Sequence, residues 1–458
     1  MLLRRKIYNC FLTKKQLLII SLFLIFTNNT IYVKASENIK KNTVYSLDNL
    51  YISAYAKSEK IKKQGVALNI AQEYKKIAFS SLLPQLSAYA DYSRYLHENM
   101  FQPKWNASYN VKLEQSFTLN GKEFIYYNIS KAYVHKTYFE LWALTENYFF
   151  EIAKSYYDYL RSIQAEKIAH ANLIRLESHK NAVYVKLKVK EVPKTAIYRA
   201  NAEYAKAKTD IVRAQNTLKI ARKYLARISC IEEPFELKEL KPLEIEDYKN
   251  LDKLILQGFT MRGEIIAAKI DNKITKASID VAKGEYYPKF SIEGLYTNNK
   301  SNNPDFTDYN VSGTASINFS IFDGGIRNAR LSEAKIKNNQ SKLSLVDLQK
   351  DIKIEITNAF LELETQESVL KSLQEEVKYW QENYNAIEKQ FKFGLANSID
   401  VVDANTLLVT SQRQLSDAKY SLEFSKIKLK KATGVLLWDI AAMFRSKGIE
   451  VIEPDSDY

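Results

Sequence analysis

The stretch LLPQLSAYADY at 82–92 returns as YYPKFSIEGLY at 286–296, pairing Pro84 with Pro288, Ser87 with Ser291 and Tyr92 with Tyr296 at an offset of 288 − 84 = 204. The same shift pairs Ser116 with Ser320, Gly121 with Gly325, Glu151-Ile152 with Glu355-Ile356 and Ala200-Asn201 with Ala404-Asn405. One ungapped register across nearly the whole of each half means two copies of one unit. The copies are joined by IEEPFELKELKPLEIED at 231–247, an acidic, Pro-containing stretch. Any fold must therefore be built twice.

Within each unit the hydrophobic period changes in a fixed order. Residues 48–81 and 252–285 read as helix, and two alternating stretches follow. In the first copy Trp105, Ala107, Tyr109, Val111, Leu113 and Phe117 share one strand face, with Asn106, Ser108, Asn110, Lys112, Glu114, Ser116 and Thr118 on the other. In the second, Val311, Gly313, Ala315, Ile317, Phe319 and Ile321 oppose Asn310, Ser312, Thr314, Ser316, Asn318 and Ser320. Preceding strands near 84–96 and 288–298 alternate less cleanly, and NNKSNNPDFTD at 298–308 has the composition of an exposed loop.

A strand-to-helix turn then carries Gly121 in the first copy and Gly324-Gly325 in the second, ahead of a very long helical pattern. Leu363, Leu370, Val377, Tyr384 and Phe391 step by seven; past a break at Gly394, so do Val401, Leu408, Leu415, Leu422 and Leu429. The first copy repeats this in Ile197, Tyr204, Ile211, Leu218 and Leu225, beside Ala200, Ala207, Ala214 and Ala221. Sustained seven-residue spacing means coiled-coil packing against a small-residue seam. A helix from Gly121 to near Lys190 would be about 100 Å long at ~1.5 Å per residue.

Composition narrows the class. With 12 Gly and 8 Pro in 458 residues, loops are few and elements long. Arg4, Arg5, Lys6, Lys14 and Lys15 precede the ten-residue apolar run LLIISLFLIF (17–26), and Val33-Lys34-Ala35 fits a cleavage site, so residues 1–35 read as a signal peptide. Removing its six Lys/Arg leaves 14 − 6 = +8, spread along helical patterns as solvated faces rather than as a nucleic-acid site. Only Cys230 remains, so no internal disulfide forms. No later segment reaches 18 uninterrupted apolar residues, which excludes a bundle of membrane helices. His97, His135, His170 and His179 show no metal-ligand spacing and read as surface residues; no metal, cofactor or enzymatic motif is expected.

The expected organisation is 36–230 as the first repeat, 231–247 as linker, 248–434 as the second repeat and 435–458 as a tail with a short helical look. Four strands of this length suit tilted membrane spans with lipid outside and water inside. Four strands cannot close, and an open edge in hydrocarbon strands backbone groups. Several copies must then share one barrel, while the polar helices project away from the membrane as a wall of paired coils.

Taken together, LLPQLSAYADY, YYPKFSIEGLY, FDGGIRNARLSEAK (322–335), VPKTAIYRANAEYAKAK (192–208) and FKFGLANSIDVVDAN (391–405) resemble the TolC-type outer-membrane efflux proteins over about residues 45–434. The resemblance implies a mostly α fold with a small β part: long antiparallel coiled-coil helices forming a periplasmic tunnel, plus four strands per chain in a trimeric β-barrel. It implies a homotrimer in outer-membrane lipid, a periplasmic adaptor (membrane fusion) protein and an inner-membrane transporter as partners, and no nucleic acid. Asp400 and Asp403 match aspartates of the periplasmic constriction, where a carboxylate ring favours cations. For Asp400 the residues themselves also allow a helix-capping role behind Asn397 or Ser398. Both helix tips, Val189-Lys190-Glu191-Val192-Pro193 and Phe393-Gly394-Leu395-Ala396-Asn397-Ser398, are the expected adaptor contacts. The chain departs from the family pattern in carrying Ala396 and Phe391 where an Arg and a Tyr form closing links, and Ala196 where an acidic partner is common. Drug efflux and type I protein secretion are equally compatible with these features. The competing reading is a secreted coiled-coil scaffold or adhesin without a pore, which accounts for the heptads but not for the repeated strand pairs.

Overall fold

The computed structural model describes residues 44–97, 103–238 and 248–449; the signal segment 1–35, linker residues 239–247 and the acidic end of the tail lie outside the described residues. The first half runs β1 (Val44–Tyr45), α1 (Leu47–Lys57), α2 (Glu59–Ser80), β2 (Gln85–Arg94), β3 (Trp105–Thr118), α3 (Lys122–Lys188) and α4 (Lys194–Ser229). The second runs β4 (Glu236–Leu237), α5 (Leu251–Met261), α6 (Gly263–Gly284), β5 (Lys289–Ser301), a 3-10 turn (Pro304–Phe306), β6 (Asp308–Asn318), α7 (Ile326–Lys392), α8 (Ser398–Ala432) and α9 (Leu436–Ser446). Helices α3 and α7 both contain 67 residues, and their first residues stand 326 − 122 = 204 apart.

Strands β2, β3, β5 and β6 form one antiparallel sheet in that order. The register sets Leu86 opposite Leu113, Val111 opposite Tyr296, Phe117 opposite Phe290 and Tyr296 opposite Val311, which gathers the apolar side chains on one face. That face is the exposed one: Leu86, Tyr92, Tyr109, Val111, Ile292 and Ile317 all stand open. The polar face is the better covered. Asn110 is buried there, accepting from Thr297 Oγ1 at 2.8 Å, and Lys112 Nζ lies 2.7 Å from Glu114 and 3.3 Å from Glu293. A sheet packed on helices in water turns its apolar face inward; this one is inverted. Among the described residues β2 and β6 each have a neighbour strand on one side only.

The helices pair as two long hairpins, α3 with α4 and α7 with α8, packed α3 against α8. Their seam has the residues that the spacing of seven predicts: Ala200, Ala207, Ala404, Ser411, Ala418 and Ser425 are buried between larger neighbours such as Leu408 and Leu363. No described helix is long and apolar enough to cross a membrane.

Three local readings change. The helices expected over 48–81 and 252–285 are each two, broken at Ser58 and Arg262, whose ψ of 122° and 124° is extended. Neither break has a proline, and each N–H still bonds back into the preceding helix (Ser58 to Ala54 O at 2.9 Å, Arg262 to Gly258 O at 3.2 Å), so periodicity runs through undisturbed. The second break turns Arg262 inward, where its guanidinium bonds Glu355 at 2.6 Å and Glu264 at 2.8 Å. The linker is also partly structural, since β4 pairs parallel with β1 and Phe235 is buried. The tail contributes α9, which seats Leu437, Ile440 and Phe444 in an aromatic core with Tyr51, Phe149 and Tyr156; the ring of Trp438 lies tilted against that of Trp142, 4.9 Å between centroids.

Candidate functional site

Both hairpins turn at the end remote in sequence from the strands, and they turn alike. In the second, Gly394 takes φ 78°, and the helix closes through Leu395 N–H to Gln390 O at 2.8 Å and Gly394 N–H to Phe391 O at 3.1 Å. In the first, Lys190 takes φ 60° at the equivalent position, with Glu191 N–H to Lys186 O at 2.9 Å. This paired bonding with a left-handed residue is the Schellman helix end. Glycine adopts it freely; Lys190 does so under strain, helped by the 2.7 Å ion pair of Lys186 with Glu191. The strand-to-helix glycines use the same region of backbone space, at 72° for Gly121, 69° for Gly324 and 90° for Gly325.

Pro193 is the residue just before the helix, at φ −71° and ψ 158°, and α4 starts at Lys194. Asn397 caps α8, and the box is reciprocal: its side chain accepts from the Asp400 N–H, while Asp400 Oδ2 accepts from the Asn397 N–H at 2.8 Å. The carboxylate of Asp400 is therefore a capping group, exposed and charged. Asp403 is exposed too, and its Oδ1 lies 3.1 Å from Nη2 of Arg199 on α4. Of the remaining tip residues, Phe393 and Leu395 stand 80% and 79% open and Val189 is exposed, whereas Val192 and Ala396 are half-buried. Ser398 is turned inward and buried, so it is not presented by the tip.

Beneath the tips lies an apolar cluster of Val183, Ala200, Tyr384, Phe391, Val401 and Leu408, with Ala196, Ala396 and Ile197 packed at its edge. Phe391, Ala396 and Ala196 thus meet in one packed layer. Beside it runs a polar ladder between α3 and α8. His179 Nε2 is 2.9 Å from Ser398 Oγ; Arg175 Nε donates to Asn405 Oδ1 at 2.8 Å; Asn405 Nδ2 donates to Asn172 Oδ1 at 2.7 Å. The expectation of a surface His179 is corrected: it is buried, its ring 5.1 Å from that of Phe391, and burial holds its pKa below the ordinary histidine value. Its spacing of nine from the exposed His170 puts the two on opposite faces of α3, and α8 covers one of them. The bond to Ser398 and the pair Arg199–Asp403 both join the two halves, which is why neither is visible in one helix alone. The offset did hold a signal for the second: 403 − 199 = 204 places opposite charges at matching positions.

Among the described residues no group of three or more His, Cys, Asp or Glu is arranged to hold a metal ion. The apparatus is one of helix ends, an inverted sheet and ionic contacts between helices.

Residues 261–435 match the family model described as outer membrane efflux protein. Over 415 residues the chain is 21% identical to outer membrane protein TolC of Escherichia coli (strain K12), covering 85% of this chain and 82% of that protein. It is 25% identical over 248 residues to the probable outer membrane lipoprotein SilC of Salmonella typhimurium, covering 52% and 51%. The fold is similar to that of the outer membrane protein VceC from Vibrio cholerae, with TM-score 0.77, 15% identity and 85% and 96% of the two chains covered. It is similar also to the open state of the Neisseria gonorrhoeae MtrE outer membrane channel, with TM-score 0.74, 20% identity and 85% and 89% covered.

Proposed function

Since the chain belongs to the TolC-type outer-membrane efflux proteins, we propose that it is the outer-membrane duct of a tripartite efflux or type I secretion system. It conducts small molecules or proteins passively from an inner-membrane transporter to the outside. The observation that carries this reading is the inverted four-stranded sheet, with apolar side chains outward, the polar ones of the central strands β3 and β5 the better covered, and, among the described residues, both edges open. Lipid satisfies the apolar face, and strands of neighbouring copies satisfy the edges, because unpaired backbone groups in hydrocarbon cost several kcal/mol each. Three copies would supply about twelve strands, within the range of closed outer-membrane barrels. The hairpins of α3/α4 and α7/α8 then continue the barrel as a periplasmic tunnel. The open side chains of Val189, Phe393 and Leu395 at their tips are the contacts for a periplasmic adaptor. Asp400 and Asp403, repeated around the symmetry axis, line the narrow end and favour cations.

Detergent-extracted protein is expected to be trimeric by light scattering, to stay with the outer membrane in a high-salt wash, and to form channels in planar lipid bilayers. Asp400→Ala combined with Asp403→Ala should raise single-channel conductance and weaken block by multivalent cations. A protein that washes off with salt, stays monomeric and passes no current would instead be a coiled-coil scaffold.

A further inference from the structure

Two aspartates three residues apart promise a strongly acidic entrance, yet the two carboxylates have different surroundings. That of Asp400 accepts the Asn397 N–H at 2.8 Å at the start of its own helix, which orients it without cancelling its charge. That of Asp403 faces Arg199 at 3.1 Å. We propose that Arg199 is a specificity-determining residue of this entrance. It is a built-in counter-ion to Asp403, leaving each copy with a net charge of about −1 from these three side chains instead of about −2. The proposal rests on the duct reading and deepens it by assigning the ion selectivity of the mouth.

Three observations support the assignment. Arg199 and Asp403 occupy matching positions of the two halves, 403 − 199 = 204, so the fold brings them together across the α4–α8 contact wherever the two hairpins lie side by side. The side chains are 43% and 61% exposed, so water and passing ions feel their summed charge. A pair this exposed adds little to stability, and its consequence for the molecule is electrostatic. Further along the same helices Asp210 of α4 lies 3.9 Å from Arg413 of α8, with the polarity reversed. The buried packing of Ala200 on α4 against Val401 and Ala404 on α8 remains when the first pair is removed.

The test is block of single channels by hexaamminecobalt(III), with reversal potentials in a potassium chloride gradient. Arg199→Ala should shift selectivity further toward potassium and lower the half-blocking concentration about tenfold. That is the order expected for a trivalent ion about 10 Å from three additional screened charges. The gain should shrink as salt is raised. Arg199→Lys should behave as the native protein, and Arg199→Ala with Asp403→Asn should return to native block, because both restore the net charge. Unchanged block in Arg199→Ala, or a lysine variant that follows the alanine one, overturns the proposal while the native cation block leaves the duct reading standing. A native protein that forms no channel removes that reading, and the proposal with it.

Discussion

Glu146 offers a perturbation whose sign and size follow from its surroundings. It sits in α3 at 4% exposure, and its carboxylate accepts the Leu437 N–H at 3.3 Å, in the first turn of the tail helix α9. Burial raises its pKa to about 7; the Leu437 bond and the positive charges of Arg262 and Lys431 offset part of the rise, and Glu264 adds to it. The folded protein therefore holds this proton more tightly than the unfolded chain, where a glutamate titrates near 4.3. Stability from this group is full below about pH 4.3, falls as pH rises, and is lost completely above about pH 7. A shift of this size is worth about 4 kcal/mol at ~1.4 kcal/mol per pH unit. Glu146→Gln retains an acceptor for Leu437 and removes the ionisation. At pH 5 it should be more stable than the native protein by only about 1 kcal/mol; at pH 8 by up to about 4 kcal/mol. Because large proteins often unfold irreversibly, the suitable readouts are the difference in thermal midpoint between variant and native at pH 5, 6, 7 and 8, and hydrogen-exchange protection of the α9 amides. Parallel pH profiles for the two proteins, or equal destabilisation by glutamine at pH 5 and pH 8, would refute the reasoning.

Cys230 closes α4 at φ 54°, where the matching Gly434 closes α8 at φ 74°. Cys230→Gly should stabilise by about 1 kcal/mol, read as a higher thermal midpoint, because a side chain is strained in that region; a lower midpoint would show that the thiol contributes packing instead. His179 is the acid-side counterpart of Glu146. Its folded pKa is depressed by burial, so its support is present above about pH 6.5 and lost as pH falls below it. The protection factors of amides near Ser398, corrected for the intrinsic exchange rate at each pH, should fall on acidification in the native protein. In His179→Asn that fall should be absent.

Much of this fold was legible because it is repeated. The change from period two to period seven located the sheet and the coils, and the single offset matched the two 67-residue helices before any contact was known. What stayed hidden depends on the second half meeting the first. Lys190 gives no local hint of a left-handed turn; only its match to Gly394 does. Ser58 and Arg262 break helices without proline because the chain stays hydrogen-bonded through the kink. Phe235 and the α9 side chains read as linker and tail until β1 and β4 pair and the aromatic core closes over them.

At the candidate site the division is sharper. Asp400, Gly394 and Asn397 were readable because capping is local: a donor and an acceptor three positions apart. Arg199, Arg175 and His179 were not, since each finds its partner more than 200 positions away on α8. A sequence containing two aspartates and a helix start reports how much negative charge is available. It does not report how much remains once the opposite half has supplied its arginine, and an ion at the mouth responds to the remainder. The two halves, alike in backbone, are thus unlike in charge where they touch. Were position 199 an aspartate as well, Asp400, Asp403 and that residue would sum to about −3 instead of about −1.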